Sequence, residues 1–133
     1  MKIVVSAHVA APLMNVWNAY TNPDDIMVWN AASPDWHTTA ATVDLRPGGK
    51  FSSRMEAKDG SFGFDFAGDY TRVVPGEVIE YRFGDRTAQV DFVEDANGVR
   101  ITVSFDPENQ HSEEQQREGW QAILDSFVRH VGR

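Results

Sequence analysis

The chain has 133 residues, 41% of them hydrophobic, and no cysteine, which excludes disulfides, thiolate catalysis and zinc–thiolate sites. Its length predicts a single domain over residues 1–133 that can bury a core without covalent cross-links. The formal net charge of −8 argues against nucleic acid and anionic membranes as partners. The sequence shows neither a signal-peptide pattern nor an apolar run long enough to span a bilayer, so we expect a cytoplasmic protein.

The first part of the chain predicts one strand, two short helices and a loop. Residues 2–9 are rich in β-branched side chains, which favour a strand. Residues 12–20 predict a helix that begins with Pro12, and residues 22–29 predict a second one with Asn22 as its N-cap and Pro23 in its first turn, where proline is tolerated. Both segments carry apolar side chains for one face. Residues 30–38 predict a loop, which is unusual in carrying a tryptophan and a histidine side by side.

Between residues 39 and 106 apolar and polar side chains alternate, which predicts six strands, the first over residues 39–45. Tight turns rich in glycine, proline, asparagine and aspartate separate these strands, at residues 46–49, 58–61, 75–77, 84–85 and 95–98. Such short connections predict an antiparallel meander with one apolar face and one solvated face.

The last element is an amphipathic helix over residues 112–131, which opens with Ser112 and Gln115 in a capping box. Its apolar stripe consists of Trp120, Ile123, Leu124, Phe127, Val128 and Val131. We expect Trp120 and Leu124 to meet a ligand and the other four to anchor the helix in the core. The predicted fold class is α+β: a seven-stranded antiparallel sheet that wraps around this helix, with two short helices after the first strand.

The motifs of the chain also carry a family resemblance. They are Val9-Ala10-Ala11-Pro12, Val16-Trp17, Trp29, Asp44-Leu45-Arg46-Pro47-Gly48-Gly49, Gly68-Asp69-Tyr70, Val74-Pro75, Gly98, Glu118-Gly119-Trp120 and Leu124. In this combination the chain resembles the family named for the activator of heat-shock protein 90 ATPase, within the START-like (SRPBCC) superfamily. The resemblance implies a helix-grip fold around a cavity, and it brings no catalytic residue with it. Co-chaperone activity belongs to larger eukaryotic members, and this sequence gives no basis for transferring it.

Many large aromatic side chains on strands oppose the final helix, and an apolar pocket with a few polar groups is the usual form of a small-molecule site. The candidate cavity-lining residues are Trp29, Trp36, His37, Phe51, Met55, Phe66, Tyr81, Trp120 and Leu124. His37 is the candidate polar contact at the cavity mouth, because an imidazole titrates near neutral pH. The alternative interpretation is that the aromatic residues form ordinary core and that His37 is a surface histidine.

Other chemistry finds little support in the residues. The four histidines are not spaced as metal ligands, so we expect no metal site and no cofactor. The Arg46-Pro47-Gly48-Gly49 turn lacks the run of free N–H groups that binds phosphate, and we expect Arg46 to pair with Asp44 or with a helix carboxylate. The strand carboxylates are expected on the solvated face, and they are Asp65, Asp69, Glu80, Asp91 and Glu94.

The leading hypothesis is a cofactor-independent domain that binds a small apolar, aromatic or lipid-like molecule. One alternative is a cavity enzyme of the cyclase or hydratase type, which needs an inward-facing acid or base. The other is a protein-interaction or co-chaperone-like module, or a homodimer built on an exposed sheet edge. The sequence leaves the catalytic residues, and thus the choice between binding protein and enzyme, open.

Overall fold

The computed structural model describes residues 2–132, and its elements follow the predicted order. They are β1 (Ile3–Val9), α1 (Leu13–Thr21), α2 (Pro23–Trp29), β2 (Trp36–Val43), β3 (Lys50–Ala57), β4 (Gly63–Val74), β5 (Val78–Phe83), β6 (Arg86–Asp95), β7 (Gly98–Phe105) and α3 (Glu113–Val131). The strands form one antiparallel sheet in the order β1-β7-β6-β5-β4-β3-β2. This sheet curls into a half-barrel with α3 on its concave side, which we call the inner face. The predicted α+β helix-grip fold is therefore confirmed.

The fully buried large side chains concentrate in one half of the molecule. They come from β1, β6, β7, α1 and α3, and the largest are Phe105, Phe127, Ile3, Ile101, Val9, Val16, Val90 and Val99. In strand β7, for example, alternate residues point inward and are buried, while those between them face outward. Strands β2, β3 and β4 contribute nothing to this set. The solid core thus lies under β1, β7 and β6, and the other half of the sheet is left to form a cavity.

The structure corrects the predicted start of β2. Residues 30–38 were expected to form a loop, but β2 spans Trp36–Val43. In the antiparallel register Trp36 pairs with Ala57 and His37 pairs with Glu56, so β3 draws both residues into the sheet. Local composition does not reveal this, because a strand end is decided by a partner about twenty positions away in sequence.

The last helix is held at three places. The Ser112 hydroxyl accepts a hydrogen bond from the Gln115 N–H at 3.1 Å, and the Gln115 side chain accepts one from the Ser112 N–H at 3.1 Å, which confirms the capping box. In the middle of the helix, the Gln121 amide donates to the carbonyl of Ser6 at 3.0 Å, on the free edge of β1. Near its end, His130 lies 2.8 Å from the Asp25 carboxylate of α2. The helix is therefore fixed to the sheet edge and to the short helices.

The turn between β2 and β3 has a structural role. The Arg46 guanidinium donates to both oxygens of Asp44 at 2.9 Å, which is one of the two pairings predicted for it. Gly48 adopts a positive φ of 84°, a conformation that side chains other than glycine's rarely tolerate. Its N–H donates to the carbonyl of Tyr70 at 2.8 Å, and the Tyr70 N–H donates to Gly49 at 2.8 Å. The turn thereby fixes the backbone of Tyr70, a residue that borders the cavity.

The strand carboxylates lie where the alternation predicts them. All five are exposed or half-buried, and four of them accept hydrogen bonds from neighbouring side chains. The donors are Lys50, Arg54, Thr71 and Gln89. No helix within residues 2–132 is long and apolar enough to cross a membrane.

Asp106 gives the fold a pH dependence. Its carboxylate lies 2.8 Å from the Lys2 ammonium and accepts hydrogen bonds from the N–H and the hydroxyl of Thr87 at 2.8 and 3.0 Å. The Lys2 contact, followed by the Thr87 N–H, lowers the pKa of Asp106 from 3.8 to about 2. Because the folded-state pKa lies below the unfolded value, this stabilisation is complete above about pH 4 and is lost as the pH falls through about 2.

We therefore expect Asp106→Asn to lower the free energy of unfolding at neutral pH by about 1 kcal/mol, a figure reduced for the solvent screening of a partly exposed carboxylate. The difference from the native protein should disappear at the acid end of the range. Urea unfolding at several pH values measures it, with Glu94→Gln as the control, since Glu94 is an exposed carboxylate of β6. A difference that persists in acid would show that Asp106 does not act through its charge.

Candidate functional site

A cavity of about 260 Å³ lies between the inner face of β3, β4 and β5 and the helices α2 and α3. Most of its wall is apolar, and among residues 2–132 no aspartate, glutamate, lysine, arginine or histidine contributes to it. The lining residues are Tyr20, Thr21, Ile26, Trp29, Asn30, Phe51, Ser53, Met55, Phe64, Phe66, Tyr70, Ile79, Tyr81, Val103, Trp120, Ile123 and Leu124.

The cavity exists because a small residue stands where the sheet could carry a large one. Phe51, Ser53 and Met55 alternate on the inner face of β3, and the serine at the centre fills little volume. The rings around it brace one another, with the Phe51 centroid 5.2 Å from that of Tyr70 and 5.0 Å from that of Tyr81. A rigid aromatic wall thus surrounds a gap that no side chain of residues 2–132 occupies.

Helix α3 forms the opposite wall. Trp120 stacks on Phe105 with ring centroids 4.0 Å apart and meets Phe66 edge-on at 6.3 Å. Beyond Trp120 and Phe66 lies a second, more polar cleft of about 310 Å³, so these two side chains separate the cavity from it. Ile123 also borders the cavity, although we expected it to serve only as a core anchor. The helix turns a wider stripe towards the cavity than the sequence pattern suggested.

The structure brings together seven of the nine side chains that the sequence singled out. Those that border the cavity are Trp29, Phe51, Met55, Phe66, Tyr81, Trp120 and Leu124. That they touch a ligand stays a prediction. The two that do not border it, Trp36 and His37, belong to the segment 36–38 for which the loop prediction was wrong.

Strand geometry explains where these two side chains went. Thr38 points inward, since its hydroxyl contacts the Met55 sulfur at 3.1 Å, and so the adjacent His37 points to the outer face. His37 is therefore separated from the cavity by β2 itself. Trp36 shares the inner face but packs at its rim against Phe62 and Phe64, with centroids 6.0 and 5.9 Å apart. Phe64 borders the cavity as well, so this aromatic cluster lies beside the cavity mouth.

Sequence reasoning missed the polar groups of the lining, above all two tyrosines. Tyr20 lies on the apolar face of α1, and Tyr70 continues the alternation of β4, so both patterns were visible. What was not visible is that these positions face a cavity and not a filled core. The same difficulty applies to Ser53, whose small size matters only because of what surrounds it.

The electrostatics of the cavity are set by the tyrosines. Burial raises the pKa of Tyr20 and of Tyr81, and it raises the pKa of Tyr70 to about 12. All three phenols therefore stay protonated at neutral pH, when each can donate a hydrogen bond. The lining that the structure describes consequently carries no formal charge and offers no ready general base.

The histidines lie elsewhere. His8 pairs with Asp95 at 3.0 Å, His111 with Glu108 at 3.0 Å, and His130 with the α2 carboxylate described above. Within residues 2–132, no three histidine or carboxylate side chains are grouped as metal ligands.

Comparison with known proteins gives a matching family and several solved structures of the same fold. A family model described as "Activator of Hsp90 ATPase homolog 1-like protein" matches residues 10–132. No curated protein matches the chain. The solution structure of an AHSA1-like protein from Aeromonas hydrophila is 45% identical, covers 98% of this chain and 92% of that chain, and superposes with a TM-score of 0.93.

Two further solved structures are similar. A protein from Cytophaga hutchinsonii is 46% identical, with a TM-score of 0.84 over 95% of this chain and 88% of that chain. A protein from Chromobacterium violaceum is 23% identical, with a TM-score of 0.89 over 100% of this chain and 99% of that chain, and at this identity it shows the fold alone.

Proposed function

We propose a function from one established premise, which is that this chain belongs to the family of activator of Hsp90 ATPase homolog 1-like proteins. The proposed function is the binding of a small apolar or aromatic molecule between the sheet and α3. The observation that carries this proposal is the open volume of about 260 Å³ behind a mostly apolar wall. Protein interiors are normally packed without such space.

The size of the cavity supports the proposal in two ways. At about 24 cal/mol per Å³, leaving this volume unfilled costs up to about 6 kcal/mol, which is comparable with the whole stability of many domains. An engineered cavity of about 150 Å³ binds benzene, so the larger volume here suits a molecule of about two rings. A bound molecule of that size would recover the missing contacts.

The lining favours binding over catalysis. An enzyme of the cyclase or hydratase type needs a general base in the cavity, and the ionisable lining residues are protonated tyrosines. We therefore place simple binding first. The same proposal holds that the protein is cytoplasmic and uses no cofactor. It also holds that the protein has no nucleic-acid or membrane partner.

One observation supports the interaction-module alternative. Phe62 is 62% exposed and Phe64 is 43% exposed, and together with Trp36 they form an apolar patch on the surface. Such a patch can mark a protein contact, a homodimer contact included. Because Phe64 also borders the cavity, the patch serves equally well as an apolar entrance for a ligand.

The test replaces Ser53 by leucine, so that a side chain of the protein itself occupies the cavity. We expect tetralin, a neutral two-ring hydrocarbon, to bind the native protein and raise its melting temperature. Ser53→Leu should weaken tetralin binding at least about tenfold, because the new side chain occupies the central gap, and it should keep or increase stability. Isothermal titration calorimetry and thermal unfolding measure the two effects.

Ser52→Leu is the matched control, since Ser52 is the neighbouring serine of β3 on the outer face. It should leave tetralin binding unchanged. Equal affinities in native protein and Ser53→Leu would mean that the ligand lies elsewhere, and the proposed function would then be wrong.

A further inference from the structure

The cavity contains every tyrosine of the chain. The sequence has three, and Tyr20, Tyr70 and Tyr81 all line the same cavity from three different elements, α1, β4 and β5. Tyr70 and Tyr81 are each 8% exposed. Phenylalanine would provide the same ring if the cavity needed only an apolar wall, and it does so at Phe51 and Phe66. The hydroxyl groups therefore call for their own explanation.

These hydroxyls have no hydrogen-bond partner among the residues that the structure describes. Within residues 2–132, none of the three donates or accepts a hydrogen bond, and no side-chain oxygen or nitrogen there is both sealed from solvent and unpartnered. The hydroxyls must accordingly border open space, and the space beside them is the cavity. A ligand that displaced the water at these hydroxyls without offering an acceptor would leave each of them unpaired, at a cost of about 1–3 kcal/mol, so a well-matched ligand carries an acceptor of its own.

The two most buried tyrosines are held in place. The Phe51 ring packs against both of them, and the turn at Gly48 and Gly49 fixes the backbone of Tyr70 by two hydrogen bonds. Tyr70 and Tyr81 are also directly opposite each other in the antiparallel register of β4 and β5, so their side chains are neighbours on the inner face of the sheet. Donors fixed near one another can bind a single oxygen atom, since a carbonyl oxygen has two lone pairs.

We propose that the cavity selects a neutral molecule with an apolar body of about two rings and one carbonyl oxygen, which accepts hydrogen bonds from Tyr70 and Tyr81. This inference rests on the proposed binding function and names the ligand class for it. The apolar body fills the space inside the aromatic wall, and the carbonyl oxygen accepts hydrogen bonds from the two tyrosine hydroxyls.

The charge of the ligand follows from the lining. A carboxylate would have to leave water for a cavity whose described lining has no arginine, lysine or histidine, and burying an unpaired charge is far more costly than burying a neutral carbonyl. A protonated phenol donates to either group, but only the neutral one can enter without a counter-ion. The cavity thus discriminates by charge as well as by shape.

The experiment compares three probes that share a fused two-ring carbon skeleton: tetralin, which has no polar group, 1-tetralone, which carries a carbonyl, and 1-naphthoate, which carries a carboxylate. For the native protein we expect 1-tetralone to bind most tightly and 1-naphthoate most weakly. Tyr70→Phe and Tyr81→Phe should each weaken 1-tetralone binding about threefold to tenfold and leave tetralin binding unchanged. The C=O stretching frequency of bound 1-tetralone should be lower in native protein than in either variant.

Thr71→Val is the matched control, because it removes the hydroxyl of the next residue on the outer face of β4. It should leave the affinities for all three probes unchanged. If tetralin and 1-tetralone bind equally and the tyrosine variants change neither, the carbonyl inference is overturned while the binding function stands. If neither neutral probe binds, the proposed function itself is overturned. Binding of 1-naphthoate as tight as that of 1-tetralone would refute the selection for a neutral ligand.

Discussion

Phe127→Ala is expected to lower the free energy of unfolding by about 3–5 kcal/mol, which is the usual loss for a large aromatic side chain removed from a core. Phe127 is 0% exposed. Its ring centroid lies 5.1 Å from that of Tyr20 and 5.1 Å from that of Trp29, so this one side chain ties α3 to both short helices. Urea unfolding followed by tryptophan fluorescence measures the loss.

The control for this prediction is Arg129→Ala, two residues along the same helix at an exposed position. It should change stability by less than about 0.5 kcal/mol, since exposed helix positions tolerate alanine well. A Phe127→Ala protein as stable as the native one would mean that α3 is not gripped by the sheet and the short helices. A loss limited to the Arg129 variant would point to surface charge as the main support of the helix.

Gly68→Ala is expected to lower the free energy of unfolding by about 2–4 kcal/mol, because it combines overpacking with damage to backbone hydrogen bonds. A Cβ at Gly68 would overlap with the backbone carbonyl oxygen of Arg82. That oxygen belongs to β5, and the neighbouring pair Asp69 and Arg82 joins the two strands. The added methyl group therefore cannot be accommodated by a side-chain movement and must push β4 and β5 apart.

Gly119→Ala makes the same chemical change with the opposite expected result. Gly119 lies inside α3, and apart from its chain neighbours and the helix backbone no atom lies within 4 Å of the place that a Cβ would take. Alanine in a helix is favoured over glycine by about 1 kcal/mol, and stability should rise by up to that amount. Thermal and urea unfolding of the two variants compare them directly. Equal effects would show that the tight approach of β4 to β5 is absent in solution.

Much of the fold could be predicted because it depends on local patterns. The capping box at Ser112 and the alternation of β7 are visible in a few adjacent residues, and the structure confirms both. The start of β2 was not predictable in this way, since Trp36 joins the sheet through its pairing with Ala57. His37 was misplaced for the same reason, because one residue of strand is enough to turn a side chain to the opposite face.

The candidate site was predictable only as a group of apolar residues. Phe51 and Phe105 look alike in the sequence, yet Phe105 fills the core and Phe51 borders the cavity. The curvature of the sheet decides between these outcomes, and no local pattern encodes it. The tyrosine hydroxyls were missed on the same account, because an unpartnered group can be recognised only when all its neighbours are known.

The arrangement of the two ends of the chain has a consequence for folding. Strand β1 pairs with β7 alone, so Ile3 gains a sheet partner only when Phe105 is present. The hydrogen bond from Gln121 to the outer edge of β1 forms later still. During synthesis the first strand therefore lacks its sheet partner until β7 has left the ribosome. Contacts between such distant positions slow folding, because the intervening loop must be ordered before they form. The meander from β2 to β7 can assemble by local steps, whereas the cavity is completed only when the last helix supplies Trp120, Ile123 and Leu124 to its wall.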